Sequence, residues 1–254
     1  MRARILGLFL TVLFAAESCS IKSDRSACPS LLFMSVSGGD DPGVSFRVGL
    51  DGQCRESVHI SKVDGIAKAG FDLAKGKGYE VMSFNGVDQD WGGEIELGEQ
   101  MPSLYAYACR VDCLSDVEEI DAALQKQFCR VFVDVIGLDC RVRIRSNVSG
   151  VVMGSLAPVP GQFYVIAQPL MYSDKSGARY VISIPRQLDS SLSLELLPPE
   201  GDDLTALFTR NVGADLIESG VDWTSPSLDD VYINIAYVEN AFSVSVQNWE
   251  KVEL

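Results

Sequence analysis

Two stretches near the C-terminus, Val231-Tyr-Ile-Asn-Ile-Ala-Tyr-Val238 and Ala241-Phe-Ser-Val-Ser-Val-Gln-Asn-Trp249, show the residue pattern that most clearly indicates the fold class. Apolar and polar residues alternate along both stretches, which is the period of a half-buried β-strand. Only Glu239 and Asn240 separate them, and a two-residue polar connection between alternating runs is typical of a hairpin. The sequence therefore predicts an antiparallel hairpin in this region.

Similar short runs occur along the chain upstream of this hairpin. Phe46 and Val48 interleave with polar or small residues, and Val142 and Ile144 lie between arginines. Many short strands with Gly, Pro and Asn between them are typical of β-sandwiches, so we expect an all-β fold. Further strands are predicted over residues 31–37, 79–84, 104–111, 129–135, 151–156, 163–168, 180–184 and 192–197.

Helix is predicted at only two places. The first is residues 115–127, which open with Ser-Asp-Val-Glu, the pattern of a capping box, and continue with apolar residues at helical spacing. The second begins at Asp202-Asp203, where Leu204 and Phe208 would share one face, although Gly213 weakens any extension. The all-β fold is thus expected to carry one or two short helices.

The composition excludes several classes of function. The 254 residues are 47% hydrophobic and 22% charged, as in a packed globular protein. The net charge of −14, with 35 acidic against 21 basic residues, excludes a nucleic-acid partner, since no basic surface is available to neutralise phosphates. The single histidine, His59, cannot supply the imidazoles of common catalytic zinc sites. We expect neither a metal nor a cofactor.

No arrangement of residues in the sequence indicates an enzyme. Adjacent acidic residues occur at 40–41, 202–203 and 229–230, but consecutive residues of a strand point to opposite faces and such pairs are more typical of turns and caps. Ser57 and His59 could form a dyad on a short strand, the alternative being a plain surface histidine. We therefore predict a non-enzymatic protein.

The N-terminus has the layout of a secretory signal. A short basic segment precedes an apolar run over residues 5–16, which is too short to span a bilayer because a spanning helix needs about 20 residues. The run ends in Ala-Ala-Glu-Ser-Cys19, which resembles the cleavage box of bacterial lipoproteins. The resemblance implies a signal peptide over residues 1–18, a fatty acid such as palmitate on Cys19, and an outer-membrane destination, because Ser20 is not Asp. The alternative is a plain signal peptide that leaves Cys19 as an odd thiol.

Six further cysteines lie in the first part of the mature chain. An even set in an oxidising compartment predicts disulfides, with 15 connectivities open and nothing in the sequence to choose among them. A metal site is the weaker interpretation, because the spacings lack the close pairs of zinc ribbons. The candidate disulfide cysteines are Cys28, Cys54, Cys109, Cys113, Cys129 and Cys140.

Three parts of the sequence share loose patterns with one group of bacterial surface proteins. Residues 19–29 combine the lipobox cysteine with Asp-Arg and then Cys-Pro before an apolar strand. Residues 131–138 are followed by an arginine-rich strand and by residues 146–150, and residues 242–249 form a closing strand that ends on Trp. In combination they resemble the FimB-type fimbrial anchor and minor-subunit lipoproteins of anaerobic Gram-negative bacteria.

This resemblance implies two transthyretin-like β-sandwich domains in tandem, over residues 31–149 and 150–254, behind a lipidated linker over residues 19–30. It also implies a protein that anchors or terminates a surface fimbria at the outer membrane, through lipid on Cys19. The partners would be fimbrial shaft subunits, one of which adds a strand to an open sheet edge by β-strand complementation. Which edge accepts the strand is left open.

Two other functions remain as alternatives to the anchor. One is a tip or minor adhesin of a fimbria, and the other is a surface lipoprotein that binds glycans through exposed aromatic rings. Packing in the core or between strands is the competing explanation for every one of these rings. The aromatic candidates are Trp91, Tyr105, Tyr107, Tyr172, Trp223 and Trp249.

Overall fold

The computed structural model describes residues 28–173, 177–201, 203, 205–237 and 241–247. Nearly all regular structure in these ranges is β-strand, which confirms the predicted all-β class, and the strands form four sheets that pair into two sandwiches. Buried side chains from both sandwiches form one continuous apolar core.

The first sandwich consists of a three-stranded sheet in the order β4-β1-β7 and a five-stranded sheet in the order β3-β2-β5-β6-β8. Strand β1 pairs antiparallel with β4 and parallel with β7. Buried and exposed side chains alternate along β1: Leu32 and Met34 are buried, while Leu31 and Phe33 are exposed on the other face. The strands are β1 (Pro29–Ser37), β2 (Gly43–Leu50), β3 (Gln53–Ser61), β4 (Ile66–Ala74), β5 (Gly78–Asn85), β6 (Tyr105–Asp112), β7 (Val117–Ala123) and β8 (Gln125–Lys126).

The second sandwich consists of a sheet in the order β11-β10-β14-β15 and a sheet in the order β12-β13-β9-β16-β17. Strand β9 lies at the centre of the latter, and its residues Val131, Val133 and Val135 are fully buried. The elements are β9 (Phe128–Ile136), β10 (Arg141–Val151), β11 (Pro158–Ala167), β12 (Met171–Ser173), β13 (Gly177–Pro185), β14 (Ser193–Leu197), β15 (Phe208–Asn211), the helix α1 (Gly213–Glu218), β16 (Asp230–Ala236) and β17 (Ala241–Gln247).

The predicted C-terminal hairpin is formed by β16 and β17. The two strands pair antiparallel from Asp230 opposite Gln247 to Ala236 opposite Ala241. Residues 238–240, which include the predicted connection, and the closing Trp249 lie outside the described residues.

The change from one sandwich to the other falls earlier in the chain than the sequence suggested. The expected boundary between residues 149 and 150 lies within β10, a single strand that runs from Arg141 to Val151. Strand β9 already pairs with β13 and β16 of the second sandwich, so the strand pairing changes between β8 and β9. Sequence alternation shows where strands lie but not which neighbour each one selects.

The segment between β5 and β6 belongs to the first half of the chain but bonds to the second sandwich. The amide of Ile95 donates to the carbonyl of Ser149, at 2.9 Å, and the amide of Met101 donates to Ser183, at 3.0 Å. At Gly150 a Cβ atom would stand 2.1 Å from the carbonyl oxygen of Gly93. The close crossing of the two backbones therefore requires glycine at position 150.

The first predicted helix, over residues 115–127, is wrong. Residues 117–123 form β7, which supplies the parallel partner that the second edge of β1 requires. Glu118 Oε1 nevertheless accepts a hydrogen bond from the amide of Ser115, at 2.9 Å, which is the contact that a capping box makes. The local interaction is therefore present, and pairing with β1 overrides the helix it would start.

The second predicted helix is also displaced. Phe208 begins β15, which pairs with β14, while Asp202 and Leu204 lie outside the described residues. The helix forms later in the chain, as α1, and begins at Gly213, the residue that was expected to weaken a helix. A Cβ atom at Gly213 would lie 2.4 Å from the carbonyl oxygen of Ser190, so close packing selects glycine there in spite of its low helix propensity.

Candidate functional site

The predicted lipid site, Cys19, and the signal peptide over residues 1–18 lie outside the described residues. The described chain starts at Cys28, next to β1, so the last two residues of the expected linker already belong to that strand. Because β1 pairs with a strand on each side, the segment that follows Cys19 leads into the middle of a sheet. Among the helices that the described residues form, none is long and apolar enough to cross a membrane.

The six candidate disulfide cysteines are all free thiols in the structure: Cys28, Cys54, Cys109, Cys113, Cys129 and Cys140. Cys54 is exposed, whereas Cys113, Cys129 and Cys140 are buried. Burial raises the pKa of each of these three thiols above its usual value, so all three stay protonated near neutral pH and react slowly.

Strand register separates one of the pairs that the sequence left open. Cys54 lies on β3 and Cys109 on β6, with β2 and β5 between them. Three strand spacings amount to roughly 14 Å, which is well beyond the reach of a disulfide. Cys129 lies opposite Ile184, whereas the carbonyl of Cys140 accepts a hydrogen bond from the hydroxyl of Tyr180, four residues nearer the start of β13. These two cysteines meet different parts of β13, and both are free thiols in the structure.

Cys28 and Cys113 lie at the same end of the three-stranded sheet. Cys28 directly precedes β1, whose first residue, Pro29, is opposite Ala74 at the end of β4. Cys113 exchanges backbone hydrogen bonds of 2.8 and 3.0 Å with Gly76 and Lys77, just beyond that end. The fold therefore brings these two cysteines to the same end of one sheet, where both are free thiols.

The candidate dyad of Ser57 and His59 is not formed. The Ser57 hydroxyl accepts a hydrogen bond from the Gln89 side chain, at 2.7 Å. His59 Nδ1 instead lies 3.0 Å from the hydroxyl of Ser45 on β2, and Ser45 is only 2% exposed. The histidine thus tethers the edge strand β3 to β2.

The adjacent acidic residues are also engaged separately. Asp40 accepts a hydrogen bond from the Tyr105 hydroxyl, at 2.9 Å, whereas Asp41 accepts one from the amide of Gly86, at 2.8 Å. Burial and the Asp40 contact both raise the pKa of Tyr105 above its usual value. Both carboxylates lie in the turn between β1 and β2 and fix its position, which agrees with the interpretation of adjacent acidic residues as turn residues.

Asp230 has a further role, because it forms an ion pair with Lys126 and also accepts a hydrogen bond from the amide of Arg130, at 2.8 Å. No cluster of three or more metal-ligating side chains occurs within the described ranges.

The candidate aromatic residues do not form a shared platform where the structure describes them. Tyr105 is buried and packs edge-on against Phe128, with ring centroids 5.5 Å apart. Trp91 and Trp223 line two different clefts. The side chains of Tyr172 and Trp249 lie outside the description, and Tyr107 is half-buried on β6.

The cleft that contains Trp223 lies between segments of both sandwiches and has a volume of about 450 Å³. Arg186 lines this cleft. Its guanidinium group donates to the carbonyl of Ser225, at 2.6 Å, and to the side-chain oxygen of Gln127, at 3.2 Å. Burial lowers the pKa of Arg186, and the charge of Asp222 opposes this effect. The cleft was not predicted, because its walls come from four parts of the chain distant in sequence.

The sheet edges differ in how well they are protected against another strand. Charged residues occupy the edge strands β3, β4, β7 and β15, and β11 contains two prolines. Charge and proline are the usual means of blocking an edge. Strand β17, with the sequence Ala-Phe-Ser-Val-Ser-Val-Gln, contains neither. It is therefore the longest described edge strand without charge or proline, and helix α1 packs close to it.

No family model and no curated protein matches the chain. Among solved structures, the fimbrial anchor protein Mfa2 from Porphyromonas gingivalis is similar at 14% identity and a TM-score of 0.59, with 87% of this chain and 98% of that chain covered. A candidate polysaccharide-binding protein from Bacteroides thetaiotaomicron is similar at 11% identity and a TM-score of 0.58, with 87% and 96% covered. A candidate adhesin from Bacteroides ovatus is similar at 12% identity and a TM-score of 0.55, with 91% and 96% covered. These similarities establish the fold of the chain, which is the two-sandwich architecture of Bacteroidetes fimbrial proteins.

Proposed function

We propose that this protein is a fimbria-associated surface lipoprotein that anchors or terminates a fimbria at the outer membrane. The observation that carries the proposal is the placement of the lipobox cysteine, Cys19, ten residues before β1 of a sandwich pair with the fold of a fimbrial anchor. Ten residues reach at most about 35 Å. Lipid on Cys19 would therefore hold the body within a short distance of the membrane.

The pairing of β1 explains why such a protein would receive a subunit and not pass one on. Its N-terminal strand is bound on both sides, by β4 and β7, and the chain before it is attached to lipid in this proposal. Neither the strand nor the N-terminus is then available to complete a neighbouring subunit. The protein can only occupy the end of a polymer that grows by strand complementation.

The receiving edge in this proposal is β17. A fimbrial shaft subunit would supply an extended strand that pairs with the side of β17 that no described strand occupies, adding a sixth strand to the sheet β12-β13-β9-β16-β17. Backbone hydrogen bonds would give affinity, and the absence of charge on β17 removes the usual barrier to such pairing.

The experiment is to image fimbriae on cells that carry Cys19→Ser in place of the natural protein, with Cys54→Ser as the matched control. Cys54 is an exposed cysteine remote from the N-terminus, so its variant should keep fimbriae attached. Cys19→Ser should release fimbriae into the medium. Attached fimbriae of normal length and number in the Cys19→Ser strain would contradict the proposal.

A tip or minor adhesin is the second candidate within the same class, because candidate adhesins share the fold. Immunogold labelling of intact cells separates the two. Label at the cell-proximal end of each fimbria supports an anchor, and label at the distal end supports a tip protein.

A further inference from the structure

A small cleft on the five-stranded sheet of the first sandwich, called here the Cys54 cleft, is lined by three sulfur-bearing side chains. Cys54 comes from β3, Met82 from β5, and Met153 from the turn that follows β10. The cleft has a volume of about 160 Å³, so the three side chains share a space only a few atoms across.

Strand register places Gly49 at the floor of the Cys54 cleft. On β2 this glycine lies opposite Cys54 on one side and opposite Glu80 on the other. A Cβ atom at Gly49 would stand 3.6 Å from Glu80 Oε2, and one at Gly154 would stand 3.5 Å from the same oxygen. The carboxylate therefore lies close to both the floor and the turn after β10, and the missing side chain of Gly49 leaves the middle of the row open.

A β-bulge in β3 brings the thiol to this position. Val48 is opposite Glu56, but the next residue, Gly49, is opposite Cys54, so Arg55 has no partner on β2. Bulges commonly re-aim side chains in this way. Without the bulge Arg55 would stand opposite Gly49, and a guanidinium group would take the place of the thiol.

The two methionines reach the Cys54 cleft from different parts of the chain. Met82 follows Glu80 by two residues on β5, so both point to the same face of the sheet, and only 4% of Met82 is exposed. The half-buried Met153 follows the crossing at Gly93, where a Cβ atom would lie 3.2 Å from the Met153 Cγ. Because methionine has three rotatable bonds and a polarizable sulfur, both thioethers can turn toward an ion in the cleft.

We propose that the Cys54 cleft binds a monovalent copper ion through Cys54, Met82 and Met153. Thiolate and thioether sulfurs are soft ligands, which select Cu(I) over hard cations. Mg²⁺ and Ca²⁺ require oxygen ligands, whereas Glu80 is the one acidic residue among the described residues that line the cleft. Clusters of three or more His, Cys, Asp and Glu side chains are absent from the described ranges; this site differs because two of its three ligands are thioethers.

Binding exchanges the proton of Cys54 for the ion. The S–H bond breaks, a Cu–S bond forms, the proton passes to solvent and the copper remains Cu(I). The charge of the lining suits a monovalent cation, because Arg47 and Glu80 cancel and the thiolate adds one negative charge. The Arg47 guanidinium group has other partners, since it donates to the carbonyl of Trp91, at 3.4 Å, and lies 4.8 Å from the ring centroid of Phe84.

The test is an anaerobic titration of the full mature protein in detergent micelles with Cu(I), in competition with the chromophoric chelator bathocuproine disulfonate. We expect one Cu(I) per chain, and X-ray absorption at the copper edge should show three sulfur ligands. Cys54→Ser should weaken binding about a hundredfold or more, because even an outer-shell partner in a metal site is worth about 10–100-fold. The inference is independent of the fimbrial role, since it requires neither the lipid nor a partner subunit.

Met153→Leu separates this site from binding by an exposed thiol alone. Leucine conserves the volume and removes the thioether, so the affinity should fall about tenfold and the number of sulfur ligands should fall from three to two. Met101→Leu is the control, because Met101 is buried and does not line the cleft, and it should bind as the parent does. The proposal is overturned if Cys54→Ser binds Cu(I) as tightly as the parent, or if Met153→Leu keeps both the parent affinity and three sulfur ligands.

Discussion

Lys126 and Asp230 form a buried ion pair that joins the last strand of the first sandwich to β16 of the second. The lysine side chain is 1% exposed and the aspartate 15%, and the ammonium group also lies 4.9 Å from the ring centroid of Phe128. The pair therefore fixes the junction at which the strand pairing passes from one sandwich to the other.

Replacing Lys126 with Met should destabilise the protein by about 3–5 kcal/mol, because the Asp230 carboxylate then loses its buried countercharge. Denaturant unfolding measures the change. The matched control is Arg179→Ala, which breaks the more exposed pair of Arg179 and Asp134 and should cost no more than about 1 kcal/mol. Equal losses in the two variants would show that the junction pair has no special role.

Replacing Gly150 with Ala should destabilise the crossing between the two halves by roughly 1–3 kcal/mol, because the new Cβ meets the carbonyl of Gly93. Gly92→Ala is the control, since a Cβ at Gly92 meets nothing within 4 Å. Thermal unfolding should show a lower Tm for Gly150→Ala only. A Tm for Gly150→Ala equal to that of the parent would mean that the backbones do not cross so closely.

The cysteines should differ sharply in their reaction with a maleimide. Cys54 is exposed and should be labelled in the native protein, whereas Cys129 and Cys140 should react only after unfolding, because burial shields them and raises the pKa of both thiols. Peptide mapping locates the label, and Cys54→Ser should remove the label at position 54 and leave only the slower labelling of the half-buried Cys28 and Cys109. Early labelling of Cys129 would contradict the described packing.

A charge on the proposed receiving edge should prevent the attachment of a shaft subunit. Ser243 is an exposed residue of β17, and Ser243→Lys places an ammonium group where a partner strand would pair. Co-purification of shaft subunits should fall at least several-fold while the unfolding midpoint stays unchanged. Ser61→Lys, on the already charged edge strand β3, is the control and should co-purify normally. If both variants behave alike, β17 is not the receiving edge.

Sequence alternation predicted most of the strands, because one face of each is buried, but it missed β4, and the strand predicted over residues 151–156 is a turn beyond Val151. The hairpin of β16 and β17 and the strand that carries Val131, Val133 and Val135 follow directly from the pattern. The pattern does not encode partners, so it could not show that β9 joins the second sandwich. The first helix prediction failed because pairing between β7 and β1 outweighed the local capping pattern. Glu118 still makes the capping hydrogen bond with the amide of Ser115, but the residues that follow form a strand.

The candidate sites divide in a similar way. A lipobox is a local motif and can be recognised in one stretch of sequence around Cys19. The cleft around Trp223 is not local: Gln127, Gln187 and Trp223 meet only because strands from both sandwiches close around them. The aromatic list contained Trp223, but nothing in the sequence distinguished it from the rings that pack in the core.

Attachment through Cys19 can be measured from the intact mass and the N-terminal peptide of the protein isolated from outer membranes. The proposed function predicts a mature chain that begins at Cys19 and carries the mass of an acylated glyceryl group, together with co-isolated fimbrial subunits. A mature N-terminus at Ser26, after cleavage at Arg25, or an unmodified Cys19 in the membrane-associated form would contradict it.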